Sequence, residues 1–137
     1  MDSFDKIRSR VLVIDDSATI QNVAKKVLTR AGYDVDVAED WLSANKVFHS
    51  PSQPPPDVVL IDVNLGTSMR GNMILDAYLK WREKGKKRRP GLFLFSEMPE
   101  PELATLAAEC NADGFIFKGP GLAGMVPAIQ SFLEANP

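Results

Sequence analysis

The chain is poor in several residues on which whole classes of chemistry depend. Cys110 is its one cysteine, so no disulfide can close within the chain, and a reducing, cytoplasmic setting is expected. The one histidine, His49, falls on an expected helix and takes no role. Neither sign of charge is in large excess. A formal net charge of −2 offers no general attraction to nucleic acid or anionic membrane. The basic run at 84–89 reads as a solvated loop between a helix and a strand. No apolar run approaches membrane-spanning length, residues 1–10 are mostly polar and lack a signal-peptide pattern, and no internal repeat is visible. What remains is an ordinary globular composition in 137 residues, which suits a single domain over 1–137 with one core, at about 9–135.

What is present is a series of short apolar runs. Val58, Val59, Leu60 and Ile61 stand unbroken between Asp57 and Asp62, after a Pro-rich stretch at 50–56 and before Gly66. Such a run reads as a strand buried on both faces. Asp62 at its end is a candidate nucleophile, a metal ligand, or merely the cap of the next turn. Val11, Leu12, Val13 and Ile14 repeat the design and stop at Asp15 and Asp16. Ser17 is a good N-cap for a helix with apolar Ile20, Val23, Ala24, Val27 and Leu28, which Gly32 ends. Residues 33–38 form a weaker strand, suited to a sheet edge. Asp40 caps a short helix through Trp41, Ala44, Val47 and Phe48. A third helix is expected over Met73, Ile74, Ala77, Tyr78 and Trp81. Then come a strand at 91–95 ending at Ser96, a fourth helix through Leu103, Leu106, Ala107 and Cys110, and a strand at 114–117 ending at Lys118. The closing helix carries Leu122, Met125, Val126, Ile129, Phe132 and Leu133, with Pro127 forcing a late or bent start.

Strands and helices thus alternate five times. That pattern calls for an α/β fold, a doubly wound parallel sheet with helices on both faces and the three most apolar strands in the middle. In a parallel sheet the strand ends share one edge, so Asp15, Asp16, Asp62, Ser96 and Lys118 converge. Three crowded carboxylates repel unless a cation sits among them, and a hard divalent ion, Mg²⁺ above all, suits oxygen ligands. A carboxylate beside such an ion, with an ammonium and a hydroxyl for anionic oxygens, describes a phosphoryl-transfer site.

On these residues the chain resembles the response-regulator receiver domains of two-component signalling. The match runs through residues 11–17, 57–65, Phe95 with Ser96, and Phe115 to Lys118. The resemblance implies a five-stranded flavodoxin-like sheet of order 2-1-3-4-5. It makes Asp62 the acceptor of a phosphoryl group from a histidine kinase or phosphotransfer protein. Asp16 and Asp62 would bind Mg²⁺ directly, with the Asn64 main-chain carbonyl as third ligand and Asp15 acting through water. Lys118 would pair with the phosphoryl oxygens, Ser96 would swing toward them, and Phe115 would turn inward as the second switch residue. Output would pass to a downstream protein through the face of the fourth helix, last strand and closing helix. Neither direct nucleic-acid contact nor membrane attachment is implied.

Three departures from the family pattern stand out. Gly119 separates Lys118 from Pro120. Gly66 and Gly71 sit where the family's loop after the acceptor is differently spaced. Glu97 follows the switch hydroxyl where a small residue is usual, and is expected to tune loading and lifetime of the phosphorylated state. The runner-up reading is a receiver-like protein-binding module that is not phosphorylated. A flavin-binding or hydrolytic α/β enzyme ranks below both, for want of a phosphate cradle after the first strand.

Overall fold

In this computed structural model the described residues are 9–48, 56–63, 90–109 and 111–135. The expected third helix, Asn64, Gly66, Gly71, the basic run at 84–89, His49 and Cys110 lie outside them.

The elements are β1 (Arg10–Ile14), α1 (Ala18–Arg30), β2 (Asp34–Ala38), α2 (Trp41–Phe48), β3 (Val58–Asp62), β4 (Gly91–Ser96), α3 (Glu100–Glu109), β5 (Gly114–Phe117) and α4 (Met125–Ala135). All four strand pairings are parallel, and the sheet order is β2-β1-β3-β4-β5. The three most apolar strands do occupy the middle. Every residue of β3 and β4 is buried, which is why their sequences run apolar without alternation. β2 is half-buried at one edge.

Alternation along the strands divides the core into two layers. Leu12, Ile14, Val59, Ile61, Leu92 and Leu94 face Ala44 of α2 and Leu103 and Ala107 of α3. Val11, Val13, Val58, Leu60, Phe93, Phe95 and Ile116 face Ala24 and Leu28 of α1 and Met125 and Ile129 of α4. Helices therefore cover both faces.

Helix ends follow local chemistry. The Ser17 hydroxyl accepts from the Ile20 N–H at 3.2 Å, and Asp40 accepts from the Ser43 N–H at 2.8 Å, both N-caps as the sequence suggests. At the far end of α1 the Tyr33 N–H donates to the Leu28 carbonyl and the Gly32 N–H to that of Thr29. This is a Schellman closure, and Gly32 takes the required positive φ of 99°. One expectation needs correction. Leu122 is not part of the closing helix: Pro120–Leu122 form a separate 3-10 turn, with Leu122 at φ 55°. The last helix starts late, at Met125, so Pro127 falls in its first turn, where a missing N–H costs little. Leu122 is still buried in the α1/α4 layer. Among the described residues, no helix is long and apolar enough to cross a membrane.

Candidate functional site

Five parallel strands put their carboxyl ends at one edge, and alternation decides which way each terminal side chain leans. Asp15 continues the parity of Val11 and Val13, Asp62 that of Val58 and Leu60, and Lys118 that of Ile116. Asp62 therefore falls on the α1/α4 side, and Asp15 and Lys118, each one residue past its strand, join it through their contacts. Ser96 continues the parity of Leu92 and Leu94, on the α2/α3 side, as does Phe115, which packs on that layer.

The contacts agree with this division. Lys118 Nζ lies 2.6 Å from Asp15 Oδ2 and 3.3 Å from Asp62 Oδ1, and 4.8 Å from the centroid of the Phe95 ring. The Asp15 and Asp62 residues are only 1% and 6% exposed, so the ammonium neutralises charge that water screens poorly. Asp15 Oδ2 receives no well-directed hydrogen bond. Its short approach to Lys118 is a charge contact, and its lone pairs remain available to a further partner. On the other side, the Ser96 hydroxyl accepts from the Met98 N–H at 2.9 Å. The Ser96 carbonyl accepts from the Lys118 N–H at 2.8 Å. The main chain of one strand end thus holds the next.

Lys118 stands at the apex of a three-residue turn, closed by the Gly119 N–H donating to the Phe117 carbonyl at 2.9 Å. Gly119 is extended, at φ −89° and ψ −177°, an arrangement any residue could adopt. The spacer before Pro120 thus leaves Lys118 directed at the two carboxylates.

Asp15, Asp16 and Asp62 each offer an oxygen, all within 4.8 Å of one another. Asp16 is exposed while the other two are buried. Three hard oxygen donors, one of them open to solvent, fit a small divalent cation that keeps part of its water. Asp15, Asp16, Asp62, Ser96, Glu97 and Lys118 line one open cavity of about 450 Å³. Glu97 is exposed at its edge. A second cavity of about 320 Å³ lies beside Phe115, Phe117 and Pro120, and Phe117 is 38% exposed there.

One residue of the site was missed in the sequence. The Gln21 side-chain amide donates to the main-chain oxygen of Asp15 at 2.5 Å. Its signal was a polar residue in the first turn of α1, in line with Ala24 and Leu28 on the buried stripe.

Residues 11–130 match the family model described as the response regulator receiver domain. Among curated relatives, the alkaline phosphatase synthesis transcriptional regulatory protein SphR of Synechococcus elongatus is 30% identical over 93% of this chain and 50% of its own. The chemotaxis protein CheY of Thermotoga maritima is 26% identical over 80% of this chain and 84% of its own. The chain spans about half or less of the first two curated relatives it matches. The crystal structure of a CheY-like response regulator receiver domain protein from Methanospirillum hungatei superimposes with a TM-score of 0.76. It is 21% identical over 94% of this chain and 96% of its own. The receiver domain of NtrX from Brucella abortus gives the same TM-score at 24% identity, over 92% and 99%. At these identities the structural likeness speaks for the fold alone.

Proposed function

Since the chain belongs to the response regulator receiver domain family, we propose that it is a phosphoacceptor switch over its whole length, with Asp62 the acceptor. The observation that carries this is the position of Asp62. It is a buried carboxylate at the end of the central strand, 3.3 Å from Lys118 Nζ and grouped with Asp15 and Asp16 at the wall of an open cavity. In the transfer, an Asp62 carboxylate oxygen forms a P–O bond as the P–N bond to a donor histidine breaks, and the imidazole leaves with the electron pair. Lys118 releases part of its hold on Asp15 to pair with phosphoryl oxygens, and the Ser96 hydroxyl turns to donate to one of them. Asp16 and Asp62, with the Asn64 carbonyl, would hold Mg²⁺ directly, and Asp15 would do so through water. A bound Mg²⁺ supplies charge neutralisation at the transferring oxygens. Asn64 is carried here by the family resemblance alone.

Donors in this reading are a histidine kinase or a phosphotransfer protein. The output is a protein partner bound on the surface of α3, β5 and α4, where Phe115 and the half-exposed Phe117 border a cavity. One observation favours the rival reading, a module that binds partners without phosphorylation. Glu97 adds a carboxylate at the mouth of a site that already holds three. Intact mass after incubation with a small acyl phosphate decides between them. The expected result is a Mg²⁺-dependent gain of one phosphoryl group, absent in Asp62→Asn. No gain under any condition would favour the unphosphorylated module, and equal labelling of Asp62→Asn would move the acceptor elsewhere.

A further inference from the structure

The two acids that follow β1 lie on a stretch that has left the strand and not yet entered α1. Asp15 is restrained atom by atom. Its N–H donates to the Ala38 carbonyl at 2.9 Å, its Oδ1 accepts from the Ser17 N–H at 2.9 Å, and its Oδ2 faces Lys118. The remaining polar atom is its main-chain oxygen. That oxygen is held by the side-chain amide of Gln21, six residues on. A carbonyl oxygen can only accept, so the amide must present its NH₂ group.

Gln21 is well placed to act as a fixed arm. Its N–H is tied to the Ser17 carbonyl at 2.9 Å in the first bond of α1, and side chains on a helix lean toward its N-terminus. It is half-buried, in line with the buried Ala24 and Leu28. The carbonyl it grips belongs to the peptide joining Asp15 to Asp16. Rotating that peptide redirects the exposed Asp16 carboxylate, while Asp15 stays pinned by its other contacts.

We propose that Gln21 is a positioning residue of the acid cluster: its amide, by fixing the Asp15 to Asp16 peptide, keeps the Asp16 carboxylate converged on Asp15 and Asp62 and so sets the affinity for a divalent cation. This rests on the reading of the cluster as a cation site. Hydrogen bonds that orient ligand-bearing groups from behind are commonly worth ten- to a hundredfold in metal affinity.

Two substitutions separate position from charge. Gln21→Met keeps length and helix propensity but removes the donor. Gln21→Glu keeps the shape, removes the donor and adds a negative charge, which by Coulomb attraction alone would tighten a cation. Titration of the whole chain with Mg²⁺, and separately with Mn²⁺, is followed through amide shifts and relaxation by NMR. Both variants are expected to bind roughly tenfold more weakly, with the Asp16 amide resonance displaced even in metal-free protein. A merely structural residue would lower the metal-free thermal midpoint and leave the affinity of the folded protein as it was. Affinity within about twofold of the parent in Gln21→Met, or tighter binding in Gln21→Glu, overturns the proposal. Asp16→Asn is run alongside. If it loses binding while Gln21→Met keeps it, the positioning role fails alone. If Asp16→Asn binds like the parent, the cation reading fails and takes this proposal with it.

Discussion

Lys118 serves two carboxylates at once, and the closer one is Asp15 rather than the proposed acceptor. With Asp15 at 1% exposure, removal of the ammonium leaves a buried charge with no counterion. Breaking such a pair from one side costs roughly 3–5 kcal/mol, so Lys118→Met should lower the metal-free thermal midpoint strongly. Mg²⁺ should then raise the midpoint of the variant more than that of the parent, because it replaces the missing charge. Equal metal-induced shifts in the two proteins would show that cation and ammonium do not share the site. Glu97 lines the same cavity, exposed and next to Ser96. A phosphoryl group carries nearly two negative charges, so Glu97→Ala and Glu97→Gln should both speed loading by a small acyl phosphate, by roughly three- to tenfold at low salt. The gain should shrink as ionic strength rises and the charges are screened. If Glu97→Gln loads at the parent rate while Glu97→Ala is faster, bulk rather than charge closes the path.

At the scale of elements, the caps were the most legible part of the sequence. Ser17, Gly32 and Asp40 act through contacts within a few residues, so no tertiary knowledge is needed to place them. Asp40 offers a check through pH. The backbone N–H of Ser43, with the Ser43 hydroxyl second, holds the Asp40 carboxyl below the usual aspartate range, against a smaller opposing effect of burial. A folded pKa below the unfolded one contributes stability that is full above the ordinary value, near about 4, and is lost as pH falls through the folded one. Asn caps about as well as Asp but does not titrate. The thermal midpoint of the parent should therefore fall relative to Asp40→Asn as pH drops from about 5 to 2. A constant difference across that range would mean that the cap makes no charge-dependent contribution. What the sequence did not disclose lies one level up. Leu122 fits the apolar spacing of the last helix, yet sits in a separate turn because Gly119, Pro120 and Gly121 redirect the chain first. Gln21 reads as an ordinary helix residue until the register of β1 brings the Asp15 carbonyl beneath it.

Across the whole molecule, the sheet's two layers separate Asp15, Asp62 and Lys118 from Ser96 and Phe115. The strand ends Asp15, Asp16, Asp62, Ser96 and Lys118 could be gathered from the sequence, since any parallel sheet puts them on one edge. Which layer each faces depends on strand parity and register. With Leu94 paired to Phe115 and Ser96 to Phe117, Ser96 and Phe115 become diagonal neighbours on the α2/α3 layer, while Asp15, Asp62 and Lys118 lie on the other. A hydroxyl drawn toward a phosphoryl group on Asp62 must therefore cross the sheet edge. To do so it gives up its bond from the Met98 N–H, one of the restraints on the residues leading into α3. A net hydrogen bond of this kind is worth about 1 kcal/mol, small enough for a charged acceptor to outcompete. Phosphorylation should thus move amide resonances from 97 into α3 and along β5, while α1 and β2 stay close to their starting positions. Ser96→Ala should still gain a Mg²⁺-dependent phosphoryl mass, but the shifts at 97–117 should collapse toward those of the unmodified protein. Full-sized shifts in phosphorylated Ser96→Ala would mean that the signal leaves by another path, with Lys118 and its main-chain bond to Ser96 the next to test.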